Sequence, residues 1–332
     1  MINRSYPQIK LYTKKQIANL IRGKNISFGA AMKLIGDCLQ NKNEYWSDNA
    51  RESEPNEEKW VRSACGTPLG ELQNRISQRI FAVHDRDLPP YVYGGVSEKS
   101  TKDAAIALLG KKNKRILLKI DMRRFFEHIS YADVKDMLVE KCSCSKEVAQ
   151  IIAEVACVEK GKKSPDNDSE KVLARGFSTS SRLAVWCNLD LFFGIFYLVS
   201  KRLKGYDPKI AIYMDDIGIT ASRVDPPIIA SLYKEILELI EGSKLSLEIN
   251  EKKTKIVDYL HREYNYTDGT IKEGVTAPFE FLGIEMGRNS LRPGIKIRSK
   301  MAKLAQKPTL TSRERRTFKG QRRYAKYIRK KD

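Results

Sequence analysis

Residues 212–217 read Ile-Tyr-Met-Asp-Asp-Ile, inside a stretch (209–221) that otherwise looks like a buried hairpin. Two adjacent carboxylates repel each other, and their ionised forms are costly away from water unless a cation stands beside them. A divalent metal is the usual compensation, because hard cations take oxygen ligands and bridge carboxylates to phosphates. A third acid, Asp121, ends the apolar run 115–120. If that run pairs beside the hairpin, Asp121 and Asp215 face each other and the group can hold two metals about 4 Å apart. One metal would activate a 3′-hydroxyl and the other would hold a triphosphate, which is what phosphoryl transfer requires. The alternative is plain turn chemistry, since Asp-Asp is a common turn dipeptide.

The surrounding elements must position these acids. Leu69, Leu72, Ile76, Ile80 and Val83 recur at helical spacing and predict one helix over 69–83. Residues 86–97 are rich in breakers and read as a loop. Helix is expected over 101–110, strand over 115–120, one or two helices over 131–157, and a polar insertion over 159–170. A long helix is expected over 178–204, the hairpin over 209–221, and an amphipathic helix over 226–243. Strands are expected over 246–257 and 279–286. Strand, helix, hairpin, helix and strand in that order imply an α+β fold, an antiparallel sheet with helices on one face.

The 332 residues carry a formal net charge of +20, which implies a polyanionic partner. Residues 296–332 hold 15 Lys or Arg against two acids, a net +13. This tail reads as mostly helical, with Phe318, Tyr324, Tyr327 and Ile328 as its apolar face. A run so lopsided meets phosphates more often than it merely solvates a terminus. No stretch reaches the roughly 20 apolar residues that span a bilayer. The first 12 residues lack an apolar leader core, so a cytoplasmic protein without a membrane partner is expected. The six cysteines read as reduced thiols. Cys142 and Cys144 form a CxC with no second pair at zinc-site spacing.

The segment Tyr213-Met214-Asp215-Asp216, flanked by apolar strands, resembles the active-site hairpin of reverse transcriptases. Five more segments resemble that family in order. These are KWVRSACGTPLGELQNRI (59–76), DMRRFF (121–126), RGFSTSSRLAVWCNLDL (175–191), LSLEINEKKTKIV (245–257) and FEFLGIEM (279–286). Six motifs in sequence are far more specific than one.

The resemblance implies a right-hand polymerase fold. Residues 1–114 would be the N-terminal region and fingers, 115–286 an RRM-like antiparallel palm, and 287–332 a short basic helical thumb. It implies Asp121, Asp215 and Asp216 as the catalytic metal triad, with the Met122 carbonyl as a further ligand of two Mg²⁺ ions, Mn²⁺ being a substitute. Lys253 would stand near the leaving pyrophosphate; a solvated lysine is the equally available reading. Lys59 and Arg62 would cradle the dNTP triphosphate, Arg62 by bidentate contacts. Phe126 would be the aromatic gate against a ribose 2′-hydroxyl, with Phe125 in the core. Gly176 would let the backbone approach the nucleotide, and Ser178 would contact it. Ser178, Thr179 and Ser180 are equally suited to cap the following helix. Tyr213, Met214, Leu282 and Gly283 would contact the primer, and Arg322 and Arg323 the duplex phosphates.

Residues 92–109 and 274–281 look closest to retron reverse transcriptases, with departures. Asp103-Ala104 stands for Asn-Ala, Ala107 for His, and Met214 for the usual Ala. The resemblance therefore implies a retron-like, defence-associated branch working on a dedicated noncoding RNA as template or scaffold and yielding a DNA product. Further partners in that setting would be a neighbouring effector protein, a second reverse transcriptase or a homo-oligomer. Two other readings stand beside RNA-directed DNA synthesis. One is a template-independent or protein-templated polymerase making repeat DNA. The other is a noncatalytic RNA-binding protein of the same fold, which the intact acids argue against.

Overall fold

The computed structural model describes residues 6–24, 26–110, 114–288 and 290–329, so Lys330 and Lys331 of the basic tail lie outside it. In chain order the chain begins with helices α1 (Lys14–Arg22) and α2 (Phe28–Gln40), strands β1 (Ser47–Asp48) and β2 (Arg62–Ser63), and helix α3 (Pro68–Ile76). Next come α4 (Thr101–Leu108), β3 (Arg115–Arg123), α5 (Tyr131–Glu140), α6 (Lys146–Ala156), β4 (Cys157–Glu159) and β5 (Lys171–Leu173). The chain continues through α7 (Ser180–Cys187), α8 (Leu189–Arg202), β6 (Lys209–Tyr213), β7 (Asp216–Ser222) and α9 (Pro226–Glu241). It ends with β8 (Glu248–Ile249), β9 (Lys255–Asp258), β10 (Arg262–Tyr264), β11 (Ile271–Thr276), β12 (Glu280–Phe281), β13 (Ile284–Met286), β14 (Leu291–Pro293), α10 (Ile295–Ala305) and α11 (Ser312–Arg329). No single helix among the described residues is long and apolar enough to cross a membrane.

The helix starts are written in the sequence. Thr13 with Gln16, Ser100 with Asp103 and Ser130 with Asp133 each close a reciprocal capping box, which satisfies first-turn N–H groups.

Residues group by contact into two interleaved units. The first holds Met1–Glu98, Arg123–Phe193 and Glu241–Glu248; the second holds Lys99–Met122, Gly194–Ile240 and Ile249–Asp332.

The first unit is helical, with two small hairpins, β1–β2 and β4–β5. Trp186 and Phe81 meet edge to face in its core at 4.9 Å. Two sequence expectations change here. The helix expected over 69–83 stops at Ile76, then a π turn (Ser77–Phe81) and a 3₁₀ turn (Ala82–Asp87) follow. The wider π turn shifts the phase, so Val83 is 55% exposed and leaves the apolar face. The helix expected over 178–204 breaks at Asn188, whose side-chain amide donates to the Ala184 carbonyl at 2.9 Å.

The second unit is built on an antiparallel sheet of order β11-β10-β9-β3-β7-β6. Its central strands β3 and β7 are buried almost throughout, which explains their near-continuous apolar sequence. Gly218 of β7 is required by packing: a Cβ there would lie 2.6 Å from Leu108 of α4 and 2.9 Å from the Phe281 ring. The strand expected over 246–257 is instead β8, a turn, and β9. The segment 279–286 is a hairpin with Leu282 and Gly283 at its turn, both at positive φ (52° and 73°). That pair of angles is the signature of a two-residue type I′ turn. The basic tail is helical as expected, but only part of its apolar face is covered: Ile328 is buried, whereas Tyr327 is 47% exposed.

Candidate active site

The carboxylates are placed by strand register in the second unit. β3 and β7 pair from Arg115↔Ser222 to Asp121↔Asp216, and β6 and β7 pair up to Tyr213↔Asp216. Met214 and Asp215 therefore form a two-residue turn. Met214 sits at φ 57°, a left-handed conformation costing of order 1 kcal/mol for a residue with a Cβ. The Met122 N–H donates to the Asp215 carbonyl at 2.9 Å. Hydrogen-bonded and non-bonded pairs alternate along an antiparallel ladder, so Asp121 and Asp216 form a non-bonded pair, with Cα atoms about 4.5 Å apart. The expected approach of Asp121 to the Asp-Asp hairpin is present, with Asp216 as its direct cross-strand partner.

A second backbone feature fixes Asp121. The Asn250 N–H donates to the Asp121 carbonyl at 2.7 Å, and the Asp121 N–H donates to the Thr254 hydroxyl at 3.4 Å. Asn250 also accepts from the N–H groups of Lys253 (3.0 Å) and Thr254 (2.9 Å). The Asn-x-x-Lys-Thr turn is thus clasped to β3 from both sides of one residue. It aims Lys253 Nζ to 3.7 Å from Asp121 Oδ2. Lys119, two residues before Asp121 and on the same strand face, puts its Nζ 3.4 Å from Asp216 Oδ1. Sequence reasoning passed over Lys119, although a cation interrupting the apolar run Ile-Leu-Leu-Lys-Ile was the available signal.

These lysines offset only part of the repulsion. Burial, together with Asp215 and Asp121, pushes the Asp216 carboxyl up from 3.8 to about 6, against the opposing pull of Lys119. Asp216 Oδ1 is buried without a directed hydrogen bond; Lys119 is near enough for charge pairing but not aimed as a donor. An under-satisfied buried carboxylate oxygen among hard oxygen donors fits a divalent cation. Among the described residues, no three Asp, Glu, His or Cys side chains form a preassembled metal cage. Lys119 and Lys253 stand where a cation's charge would act.

The remaining nucleotide-side candidates belong to the first unit. Phe126 is 4% exposed, edge-on to the fully buried Phe125 at 5.7 Å. The Arg175 guanidinium covers the Phe126 ring at 4.7 Å and is held by Glu127 through two bonds of 3.1 and 3.0 Å. The sequence motifs alone gave no sign of this clamp. Gly176 is exposed at φ 101°, and a Cβ there would run into the Arg62 carbonyl oxygen, so the chain's own backbone at Arg62 demands glycine at this position. Ser178 is exposed, and its carbonyl accepts from the Ser77 hydroxyl at 2.9 Å. None of Ser178, Thr179 and Ser180 caps α7 through its side chain. Thr179 holds the cap position without a side-chain bond, and the Ser180 hydroxyl donates to the Ala174 carbonyl at 2.6 Å. Lys59 pairs with Glu54 at 3.1 Å on the surface. The Arg62 side chain is 3% exposed and bonded to Asp48 and to the carbonyls of Glu159 and Gly161. A triphosphate contact from Arg62 requires those bonds to be exchanged.

In the second unit, Tyr213 and Met214 are half-buried at the hairpin turn, and burial pushes the Tyr213 phenol up. Leu282 and Gly283 form the type I′ turn described above. Arg322 and Arg323 are exposed on α11, lining a 490 Å³ groove with Phe318 and Lys326.

The chain also resembles known proteins. Residues 62–286 match the family model described as reverse transcriptase (RNA-dependent DNA polymerase). That is more than half of the chain, and the chain belongs to the reverse transcriptase family, whose members are RNA-directed DNA polymerases and hence nucleotidyltransferases. Its fold is the family's right-hand polymerase fold, of the α+β class expected from sequence. Reverse transcriptase domains generally use divalent metal ions, in keeping with the carboxylate site. No curated protein matches the sequence significantly. Similar solved structures include telomerase from Candida albicans in complex with a fragment of telomeric RNA. It is 12% identical with a TM-score of 0.37, over 68% of this chain and 40% of that one. Another is apo telomerase from Candida tropicalis truncated of its C-terminal domain. It is 13% identical with a TM-score of 0.38, over 79% of this chain and 45% of that one. The chain thus spans less than half the length of these telomerases.

Proposed function

We propose that this protein extends a DNA primer with dNTPs by copying a dedicated noncoding RNA, as a retron-like, defence-associated enzyme of the bacterial cytoplasm. The observation that carries polymerisation is the register pairing of Asp121 with Asp216, next to Asp215 at the turn and within reach of Lys253. Asp121, Asp215, Asp216 and the Met122 carbonyl would hold two Mg²⁺ ions, whose chemistry is activation of the 3′-hydroxyl and stabilisation of the leaving pyrophosphate. The chain's own contribution is positional. The Asn250–Thr254 turn holds Asp121 by its backbone, and Lys253 adds a positive charge on the leaving-group side. By the resemblance, Phe126, whose ring the Arg175 guanidinium covers, would exclude a ribose 2′-hydroxyl. The net charge of +20 and the basic α11 supply non-specific attraction for nucleic acid. The retron-like segments 92–109 and 274–281 support the defence setting and its RNA.

The test is to purify the protein with the nucleic acid it retains, add Mg²⁺ and four dNTPs, and sequence the product beside the Asp215→Ala/Asp216→Ala variant. DNA complementary to a co-purified RNA, absent from the variant reaction, is the expected result. Repeat DNA without an RNA complement would replace templated synthesis by the template-independent reading. No product on a supplied primer and template would overturn the polymerase assignment.

A further inference from the structure

The β3–β7 ladder has a second pair of like charges, at the end away from the acids. One step beyond Arg115↔Ser222, the Arg223 N–H donates to the Lys114 carbonyl at 2.8 Å, so Lys114 and Arg223 face each other across the two strands. Like charges directly opposite on a sheet are destabilising. Arg223 is moreover held at φ 58°, a strained conformation for any side chain. Both side chains are exposed and, among the described residues, neither has a hydrogen-bond or ion-pair partner. They line a 990 Å³ cavity together with Arg288, which is likewise exposed and unpartnered.

The nearby acids are already committed. Asp207 is bonded by Arg115 at 2.7 Å, and Asp258 by Arg262 at 2.6 Å and by the Tyr264 hydroxyl at 2.9 Å. Of the two acids lining the cavity, Asp225 has no such side-chain partner among the described residues. The buried hydroxyl of Tyr259, another lining residue, also lacks a hydrogen-bond partner. Three unneutralised cations converge on one cavity, with an unused hydroxyl beside them and one carboxylate against them.

We infer that this cavity binds phosphate groups of an RNA segment lying outside the catalytic cleft. Seven residues of strand separate Lys114 from Asp121, about 23 Å at 3.3 Å per residue. The two positions also fall on opposite faces of the sheet. A primer terminus at the acids therefore does not place its own paired end here, whereas a longer RNA held by the same protein can reach. The inference rests on the reading of this chain as a polymerase acting on RNA, and it assigns that RNA a second anchoring surface.

The test compares wild type with Lys114→Glu/Arg223→Glu/Arg288→Glu and with the milder triple alanine variant. A structured RNA of about 100 nucleotides and a short primer–template duplex are both titrated from 50 to 300 mM salt. Losing three phosphate contacts lowers the salt slope for the long RNA by about 2 and weakens binding roughly 50-fold at 0.15 M. Extension of the short duplex stays unchanged, which also shows that the variants fold. An unchanged slope for the long RNA overturns the inference. So does a loss confined to equilibrium binding of free dNTP, which would make the cavity a nucleotide site. If the short duplex is never extended but the slope still falls, the anchoring surface stands and the polymerase reading fails.

Discussion

Replacing Asp216 with asparagine should stabilise this protein while abolishing its chemistry. The Asp216 carboxyl is raised from 3.8 to about 6 by burial and by two neighbouring carboxylates. At about 1.4 kcal/mol per tenfold change, that amounts to roughly 3 kcal/mol against the ionised side chain at neutral pH. Between pH 3.8 and 6 the folded protein holds a proton that the unfolded chain has lost. Stability therefore falls as pH rises through this window and stays lower above it. Asparagine has nearly the same shape and no charge, so Asp216→Asn should gain roughly 2–3 kcal/mol at pH 7.5 in EDTA. The gain should shrink towards zero near pH 4, where wild type is itself protonated. Mg²⁺ should restore part of the difference in wild type alone, because a ligand of the folded state stabilises it by mass action. Urea titrations at pH 4, 5.5 and 7.5, with EDTA or Mg²⁺, read all three effects. A variant no more stable than wild type at pH 7.5, or a gain that persists unchanged at pH 4, would refute the reasoning.

Thr254→Val keeps the shape of a side chain that is 2% exposed but removes the acceptor for the Asp121 N–H. It should cost about 1–2 kcal/mol in urea unfolding and lower kcat more than it raises KM for dNTP. Arg175→Ala uncovers the Phe126 ring, so the ratio of rNTP to dNTP incorporation should rise roughly 2- to 10-fold; an unchanged ratio would remove Arg175 from sugar selection. Gly176→Ala forces a Cβ against the Arg62 carbonyl at φ 101° and should destabilise by about 1–3 kcal/mol or prevent soluble expression.

The chemistry-bearing residues were legible in the sequence because they are punctuation within strong patterns. Asp215 and Asp216 interrupt an apolar hairpin, Asp121 ends an apolar strand, and the caps of α1, α4 and α5 are spelled out by Ser or Thr with an acid or amide three residues later. Period-2 and period-3.6 patterns are local, so they survive without knowledge of neighbours. The helix over 69–83 was misread for the same reason. Its apolar spacing continues, but the backbone passes into a π turn at Ser77, which turns Val83 outward.

What only the tertiary structure decided are the pairings. The sequence lets Asp121 meet the Asp215-Asp216 hairpin; strand register makes Asp216 its direct partner, with Asp215 on the turn. The resemblance makes Arg62 a triphosphate ligand, yet Asp48 and two carbonyls distant in sequence bond it in the fold. Lys119 reads as one polar residue in a strand until the register with β7 brings Asp216, diagonally across from it, within 3.4 Å. Types of residue and local periodicity reside in the chain itself. Which charge meets which is settled by long-range register, and no local pattern encodes that.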